Sequence, residues 1–484
     1  MVSLDPSSSY RNTDPLSSRE IYYFPPLQNR LALYYYPACT KSSYAAYINR
    51  HQATILPEYQ PGNIPGLYKY LRKFVCHPRP WSRQQYVDSI EDVTRRNIYQ
   101  TAANGLDAGD RTSNYVCPFT KIEKLPTNKY KPPRLIQARH ITFNIEYGRF
   151  IKPLERQLGL HHRNRYNFAK GNYDEIARRI DHLRRQYRYY TEADHTTFDA
   201  HVTVEMLRLT HTFYAAVYQH NRELRSLSSQ TIVNRCRDRQ GNHYKIRGTR
   251  MSGDVDTSLG NSLINYSIIM RVLEDLGIEG EAIVNGDDSI IFSNAPIPVV
   301  AVEQFRRYNM ETVLKPSTTN IHQVEFCRTK FVLNGDAHYT MVMDPERIIK
   351  IFGMTSSQLP SYQTYLIEVL VCIQSINKSS MVGVHLQKLL DDVRDHPGIK
   401  QKYKIPIYNH NFKYLTKDLK RVYKRQLGTK PLTCDQATVD DFVAWEYLYD
   451  FKYQLSKLYY KISKLGALND IRTADLFGRK PRSH

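Results

Sequence analysis

The chain has 484 residues, 41% of them hydrophobic, enough to bury at least one large globular core and to allow two or three domains. Its 68 Lys and Arg outnumber 47 Asp and Glu, and the formal charge of +21 makes a polyanion the expected partner class, either nucleic acid or an anionic membrane surface. Seven scattered cysteines with no C-x-x-C pair exclude a structural zinc site and imply a reducing compartment; the longest apolar run, Tyr365 to Ile376, is too short to span a membrane and carries Glu368.

The first 28 residues are rich in Ser and Pro, lack the apolar core of a signal peptide and read as a loop-like opening. Residues 85–104 have helical spacing, with Val87, Ile90, Val93 and Ile98 on related faces. Phe119 to Glu155 is a basic, proline-bearing stretch expected to form short strands and cationic loops rather than one long helix. Tyr189 to Asp194 reads as a strand, and Val202 to Tyr218 as a helix with Val202, Met206, Leu209, Phe213 and Val217 on its apolar face. A glycine-bearing loop follows, from Gly248 to Asp256, and becomes a helix that Gly277 is placed to end. Ala282–Val284 and Ile290–Phe292 are apolar strands about a four-residue turn, Asn285 to Asp288. Beyond residue 340 the pattern is mostly helical, and its last apolar stripe, Leu448 to Leu465, is expected to pack on the main core.

Three segments carry residues suited to chemistry. The turn presents Asp287 and Asp288 as adjacent carboxylates at a rigid sheet edge, with Gly286 leaving the backbone unobstructed. Alone this is also an ordinary hairpin turn. Asp194 ends the preceding strand, with Asp199 five residues on; two acids there could equally be a helix cap and a surface charge. Between them lies RMSGDVDTSLGN, in which Ser252 and Gly253 form a flexible loop and Thr257 and Asn261 share one helical face, able to read a ribose or simply to cap a helix. Clustered carboxylates without nearby His or Cys suit hard divalent cations such as Mg²⁺ or Mn²⁺, and nucleotidyl transfer needs two of them.

In order, D-x(4)-D, S-G-x(3)-T-x(3)-N and G-D-D resemble motifs A, B and C of positive-strand viral RNA-dependent RNA polymerases. SGDVDTSLGN, VNGDDSIIF and FDAHVT narrow the resemblance to the tombusvirus-like branch and its flavivirus-like relatives, and FTKIEK with PPRLIQARHITFNIEYGRFIKPLE is similar to that branch's basic motif F. The resemblance covers roughly residues 80–335. It departs from the plant-virus pattern at Asp256, where Asn is usual, and at Ala200, where Gln is usual.

The resemblance implies an α+β fold of right-hand form, with an antiparallel palm sheet and a mostly helical thumb. Its divisions are 1–80 as an extension bridging fingers and thumb, 81–187 as fingers, 188–219 and 250–335 as palm, 220–249 as a fingers insertion and 336–484 as thumb. It also implies that Asp194 and Asp287 ligate two Mg²⁺ or Mn²⁺ ions with Asp288 assisting, and that Asp199 and Asn261 recognise the ribose 2′-hydroxyl. Ser252, Gly253 and Thr257 are expected to position template and nucleotide, and Arg134 and Arg139 to grip the triphosphate. Lys315 is the expected proton donor to pyrophosphate, and Lys121, Lys124, Lys131 and Arg328 line the RNA path. The Cys327 hairpin resembles motif E, so that thiol is expected to pack rather than react.

The implied activity is copying of single-stranded RNA from NTPs, in host cytoplasm at membrane-bound replication complexes, with a separate viral protein as membrane anchor. Two other readings are weaker. A reverse transcriptase shares the double-Asp turn but lacks the ribose-reading helix, and a basic RNA-binding or capsid protein would leave the ordered carboxylates unexplained and would concentrate its charge in an arm.

Overall fold

The computed structural model describes residues 22–23, 33–34, 36, 39–51, 55–121, 123, 125–126, 130–159, 166–239, 241–334, 338–343 and 354–355. Of the expected thumb, 336–484, only 338–343 and 354–355 are described, and both are strand where the pattern beyond 340 reads as helix; the other helices expected there and the terminal apolar stripe lie outside the described residues. Antiparallel sheets alternate with helices along the chain, the α+β class expected.

The elements used below, in chain order, begin with α1 (Thr40–His51), α2 (Val93–Asp107), β1 (Val116–Thr120), β2 (Leu135–Arg139), α3 (Ile141–Gly159) and α4 (Tyr173–Arg184). They continue with β3 (Tyr189–His195), α5 (Val204–Val217), β4 (Val233–Arg237), β5 (His243–Arg247), α6 (Thr257–Asp275), β6 (Gly280–Asn285), β7 (Asp288–Ser293) and β8 (Thr312–Leu314).

Strands β8, β3, β7 and β6 form the central sheet in that order, every pairing antiparallel. Both of its faces are buried, and side chains alternate between them. Ala282, Val284, Ile291 and Ala193 join the core formed with α5, α6 and Ile64 to Phe74, while Ile283, Ile290, Phe292 and Tyr190 pack with α4 and with Phe326, Phe331 and Met341. Helix α6 is enclosed on nearly every side: Leu259, Leu263, Ile264, Tyr266, Ile268, Ile269, Val272 and Leu273 are buried in the core, and Asn261, Ser262, Asn265 and Ser267 are buried with them. It ends as expected, with Gly277 at φ +64° and its N–H bonded to the Glu274 carbonyl.

The second sheet has the order β2-β1-β4-β5. Its β4–β5 hairpin comes from residues 233–247, far along the chain from β1 and β2, and joins them through the parallel pairing of Val116 with Cys236. None of the described cysteines, Cys39, Cys76, Cys117, Cys236 and Cys327, is in a disulfide. Among the described residues no helix is long and apolar enough to cross a membrane.

Two of the sequence readings are corrected. Residues 85–104 are two helices, Arg83–Asp88 and α2, because the Asp92 carboxylate accepts the Arg95 N–H and starts a new helix. The buried face of α2 is Tyr99, Ala103 and Leu106, whereas Val93 and Ile98 are exposed. The stretch 119–155 ends in a long helix, α3, despite Gly148 and Pro153. Gly148 is there for space, since a Cβ would lie 2.2 Å from the Tyr86 ring. The acidic turn is the four-residue turn expected: Asn285 pairs with Asp288, Gly286 and Asp287 are its two central residues, and β7 begins at Asp288.

Candidate active site

The tight turn fixes where the acids point. Gly286 takes φ +67°, the positive value that the first central residue of a type II′ hairpin turn requires. Ala193 pairs with Ser289, so the next step of the same antiparallel register sets Asp194 opposite Asp288. By strand alternation both leave the sheet on the face away from α6. Asp287 completes the trio from the turn itself.

All three carboxylates reach solvent. Protein nonetheless crowds the turn enough that desolvation is the leading influence on Asp287, and with the charges of Asp288, Asp199 and Asp194 it raises that acid's pKa to about 6. Burial and Asp194 raise Asp288 as well, against a hydrogen bond from Cys327 and the charge of Arg328. Among the described residues no three His, Cys, Asp or Glu side chains close up into a ready-made ion site. The acids face one another across a gap and repel, an all-oxygen donor set that divalent cations would relieve, so the residues present fit such ions.

Helix α6 holds the turn still. The Asn265 amide donates to the carbonyls of Gly286 (3.1 Å) and Asp287 (3.0 Å), and the Ser262 hydroxyl accepts the Gly286 N–H (2.8 Å). Carbonyls only accept, so Asn265 Oδ1 must face His195 Nε2 at 2.9 Å, and that nitrogen must carry a hydrogen. Thr312 Oγ1 meets His195 Nδ1 at 2.8 Å. Burial lowers the His195 pKa to about 4, keeping the ring neutral in this tautomer. Strands β3 and β8, helix α6 and the acidic turn are thereby joined.

The predicted ribose pair is also brought together. Asn261 Nδ2 donates to Asp199 Oδ1 at 2.6 Å. Arg50, on α1, forms an ion pair with the other oxygen of Asp199. Behind Asn261 lies Arg250, fully buried, whose Nε donates to Asn261 Oδ1 (3.1 Å) and whose Nη1 pairs with Asp256 (3.0 Å). Asp256 also accepts the hydroxyls of Tyr147 (3.3 Å) and Tyr214 (3.2 Å).

The loop before α6 is docked on β2. Ser252 Oγ accepts the Gln137 N–H (3.2 Å), and the Gly253 N–H donates to the Gln137 carbonyl (3.0 Å). A Cβ on Gly253 would lie 2.3 Å from that carbonyl oxygen, so only glycine fits this approach. Thr257 Oγ1 turns back to the carbonyls of Met251 and Asp254, both at 2.9 Å, as a helix-start hydroxyl.

The cations divide. Arg139 is corrected: rather than facing a triphosphate, its guanidinium is wholly buried and bonded through Nε and Nη2 to Asp254 at 2.6 and 2.9 Å, with Asn234 and the Asn114 carbonyl each accepting one further hydrogen. Burial pushes the Asp254 carboxyl up, opposed by Arg139. Arg134 is half exposed and grips Glu123 with both arms, and Lys121 pairs with the same carboxylate at 3.1 Å. Lys315 pairs with Glu192, two residues before Asp194 on the same sheet face. Arg328 is exposed beside Asp288, Lys131 is exposed, and Lys124 lies outside the described residues. Cys327 accepts a hydrogen bond from Asn285 Nδ2 at 3.1 Å, a thiol set against the acidic turn.

Sequence reasoning missed Arg50, Arg250, Ser262, Asn265 and His195. Asn265 had a signal, since it lies four residues after Asn261 on one helix face; Arg50 had none, being 149 residues from its partner.

A sheet end carrying Asp194, Asp287 and Asp288, with the Asp199–Asn261 pair near enough to act on Asp287, defines a candidate nucleotidyl-transfer site. Residues 60–437 match the model of the family described as viral RNA dependent RNA polymerase, and the chain belongs to that family. It is 31% identical over 310 residues to the RNA-directed RNA polymerase of Maize chlorotic mottle virus, covering 58% of this chain and 31% of the relative. The corresponding figures are 30% identity, 62% and 41% for that of Turnip crinkle virus, and 28% identity, 68% and 46% for that of Carnation mottle virus. The aligned part therefore spans less than half of each relative's own length.

Proposed function

We propose that the chain is the catalytic part of a viral RNA-dependent RNA polymerase, which copies a single-stranded RNA template from NTPs during genome replication and transcription. The observation that carries this reading is the joining of two pairs: Asp194 with Asp288 across neighbouring strands, and Asp199 with Asn261 beside them. The central sheet is then the palm, the β1–β2–β4–β5 sheet belongs to the fingers, and the residues after about 336 form the thumb.

Asp194, Asp287 and Asp288 are the residues that would hold two Mg²⁺ or Mn²⁺ ions. When bound, such ions lower the pKa of an attacking 3′-hydroxyl and stabilise a departing pyrophosphate. The chain's own work is positional. Asn265 and Ser262 immobilise the backbone that carries Asp287, and the Asp199–Asn261 pair receives the ribose 2′-hydroxyl. The Ser252–Gly253 loop and Thr257 position template and nucleotide. Arg134, half exposed, can exchange Glu123 for a triphosphate, while Arg139 serves as a buried strut under the loop. Lys315 supplies a proton to the leaving group, and Lys121, Lys124, Lys131 and Arg328 add charge along the RNA path. The ribose pair favours this reading over a reverse transcriptase. The protein acts in host cytoplasm, at membrane-bound complexes to which a separate viral protein anchors it.

Homopolymer templates test the proposal. Each of the four homopolymeric single-stranded RNAs should draw only its complementary labelled NTP into product. Incorporation that ignores the template, or none on any of them with Mg²⁺ or Mn²⁺ present, would overturn it.

A further inference from the structure

We propose that Arg250 sets the sugar selectivity of the site by fixing which end of the Asn261 amide faces the nucleotide. The inference rests on the polymerase reading above and extends it to a residue that touches neither metal nor nucleotide.

An asparagine amide has a donor end and an acceptor end of nearly equal shape, so its neighbours decide its orientation. Here the decision has two sides. A guanidinium offers only donors, and Arg250 Nε stands 3.1 Å from Asn261 Oδ1; a carboxylate offers only acceptors, and Asp199 Oδ1 stands 2.6 Å from Asn261 Nδ2. A flipped amide would put N–H against N–H and oxygen against oxygen. With the orientation locked, the remaining Nδ2 hydrogen and the free lone pairs of Asp199 are what the pair offers to a sugar. A 2′-hydroxyl can accept from the first and donate to the second, whereas a 2′-deoxyribose can do neither. A site built to pair a hydroxyl discriminates against its absence.

Arg250 is itself held at further points. Its Nη1 is held by Asp256 at 3.0 Å, and its own N–H donates to the Asp199 carbonyl at 2.9 Å. Gly260 completes the seat, because a Cβ there would lie 2.2 Å from Arg250 Nη2. The glycine of the SLGN segment is thus explained by the arginine packed over it. Lysine cannot replace this fork, since one ammonium cannot reach Asp256 and Asn261 together in planar geometry. Arg250 acts through Asn261 and is a positioning residue.

The test is the ratio of kcat/KM for an NTP to that for the matching 2′-dNTP on one RNA template. Four proteins are compared with wild type: Arg250→Lys, the charge-neutral pair Arg250→Met with Asp256→Asn, Asn261→Ala alone, and Arg250→Lys in that Asn261→Ala background. Folding of each is followed by circular dichroism and thermal melting. The neutral pair guards against a misfolded single variant, because it leaves no unpaired charge buried. We expect the ratio to fall about tenfold, the scale of one positioned hydrogen bond, in whichever of the first two variants folds. No further fall is expected once Asn261 is gone. A purely structural role would slow NTP and dNTP alike, so an unchanged ratio in a folded variant overturns the inference, as does an equal fall without Asn261. Failure of the wild-type protein to incorporate any NTP would instead overturn the polymerase reading, and this inference with it.

Discussion

Arg134 and Arg139 bracket a single strand, yet one side chain is 54% exposed and the other 0%. That difference sets what each can do. Arg139 is one half of a buried, two-pronged pair with Asp254, and removing one partner leaves a charge without compensation. Arg139→Ala should therefore lower stability by about 3–5 kcal/mol, read as a lower thermal midpoint. Arg134→Ala should stay within about 1 kcal/mol of wild type, because its ion pair with Glu123 is open to solvent. Equal stability losses in the two variants would contradict this division. The acids were legible in sequence because their spacing is a local property: Asp287 and Asp288 share a turn, and Asp194 ends a strand of readable pattern. Arg139 was misread because sequence spacing says a cation is near a basic segment and nothing of its burial. Its partners Asp254, Asn234 and Asn114 arrive from 115, 95 and 25 residues away.

At the scale of elements, α6 matters most, since one helix supplies Asn261 to the ribose pair and both Ser262 and Asn265 to the acidic turn. Asn265→Ala removes both bonds to the turn carbonyls and the acceptor of His195. Nucleotide incorporation should fall by about tenfold to a hundredfold while far-ultraviolet circular dichroism keeps its wild-type form, consistent with two lost hydrogen bonds of about 1 kcal/mol each. Undiminished incorporation would remove Asn265 from the positioning scheme. Helix α5 makes a separate, pH-dependent contribution through His211, whose Nε2 meets Thr231 Oγ1 at 3.1 Å. Burial lowers its pKa from 6.5 to about 4, so the folded protein binds fewer protons there than the unfolded chain. The contribution is complete above pH 6.5 and is lost as pH falls toward 4, at up to about 1.4 kcal/mol per pH unit. His211→Gln should flatten that part of a urea-denaturation pH profile, and an unchanged slope would refute it. The strand, α5 and α6 were readable because their apolar periodicity matched their burial. The split before α2 was less so, because a single cap at Asp92 overrides a helical pattern that runs through it.

For the whole molecule, the formal charge of +21 and the family assignment point to the same partner. If RNA is held mainly through its phosphates, binding must release counterions. Apparent affinity for single-stranded RNA should fall at least about tenfold between roughly 50 and 200 mM salt, in a linear plot of log affinity against log salt. Salt-independent binding would contradict a phosphate-led interface. The second sheet was not legible in sequence, because the pairing of β1 with β4 joins segments more than a hundred residues apart that no local pattern connects. The measurement that bears most directly on the central claim is incorporation of labelled NTPs on a single-stranded RNA template with Mg²⁺ or Mn²⁺, comparing the protein with its Asp287→Ala variant. The account predicts template-dependent synthesis by the first and a loss of at least about a thousandfold in the second, the scale of removing a principal electrostatic group from an active site. Equal synthesis by the two proteins would contradict it.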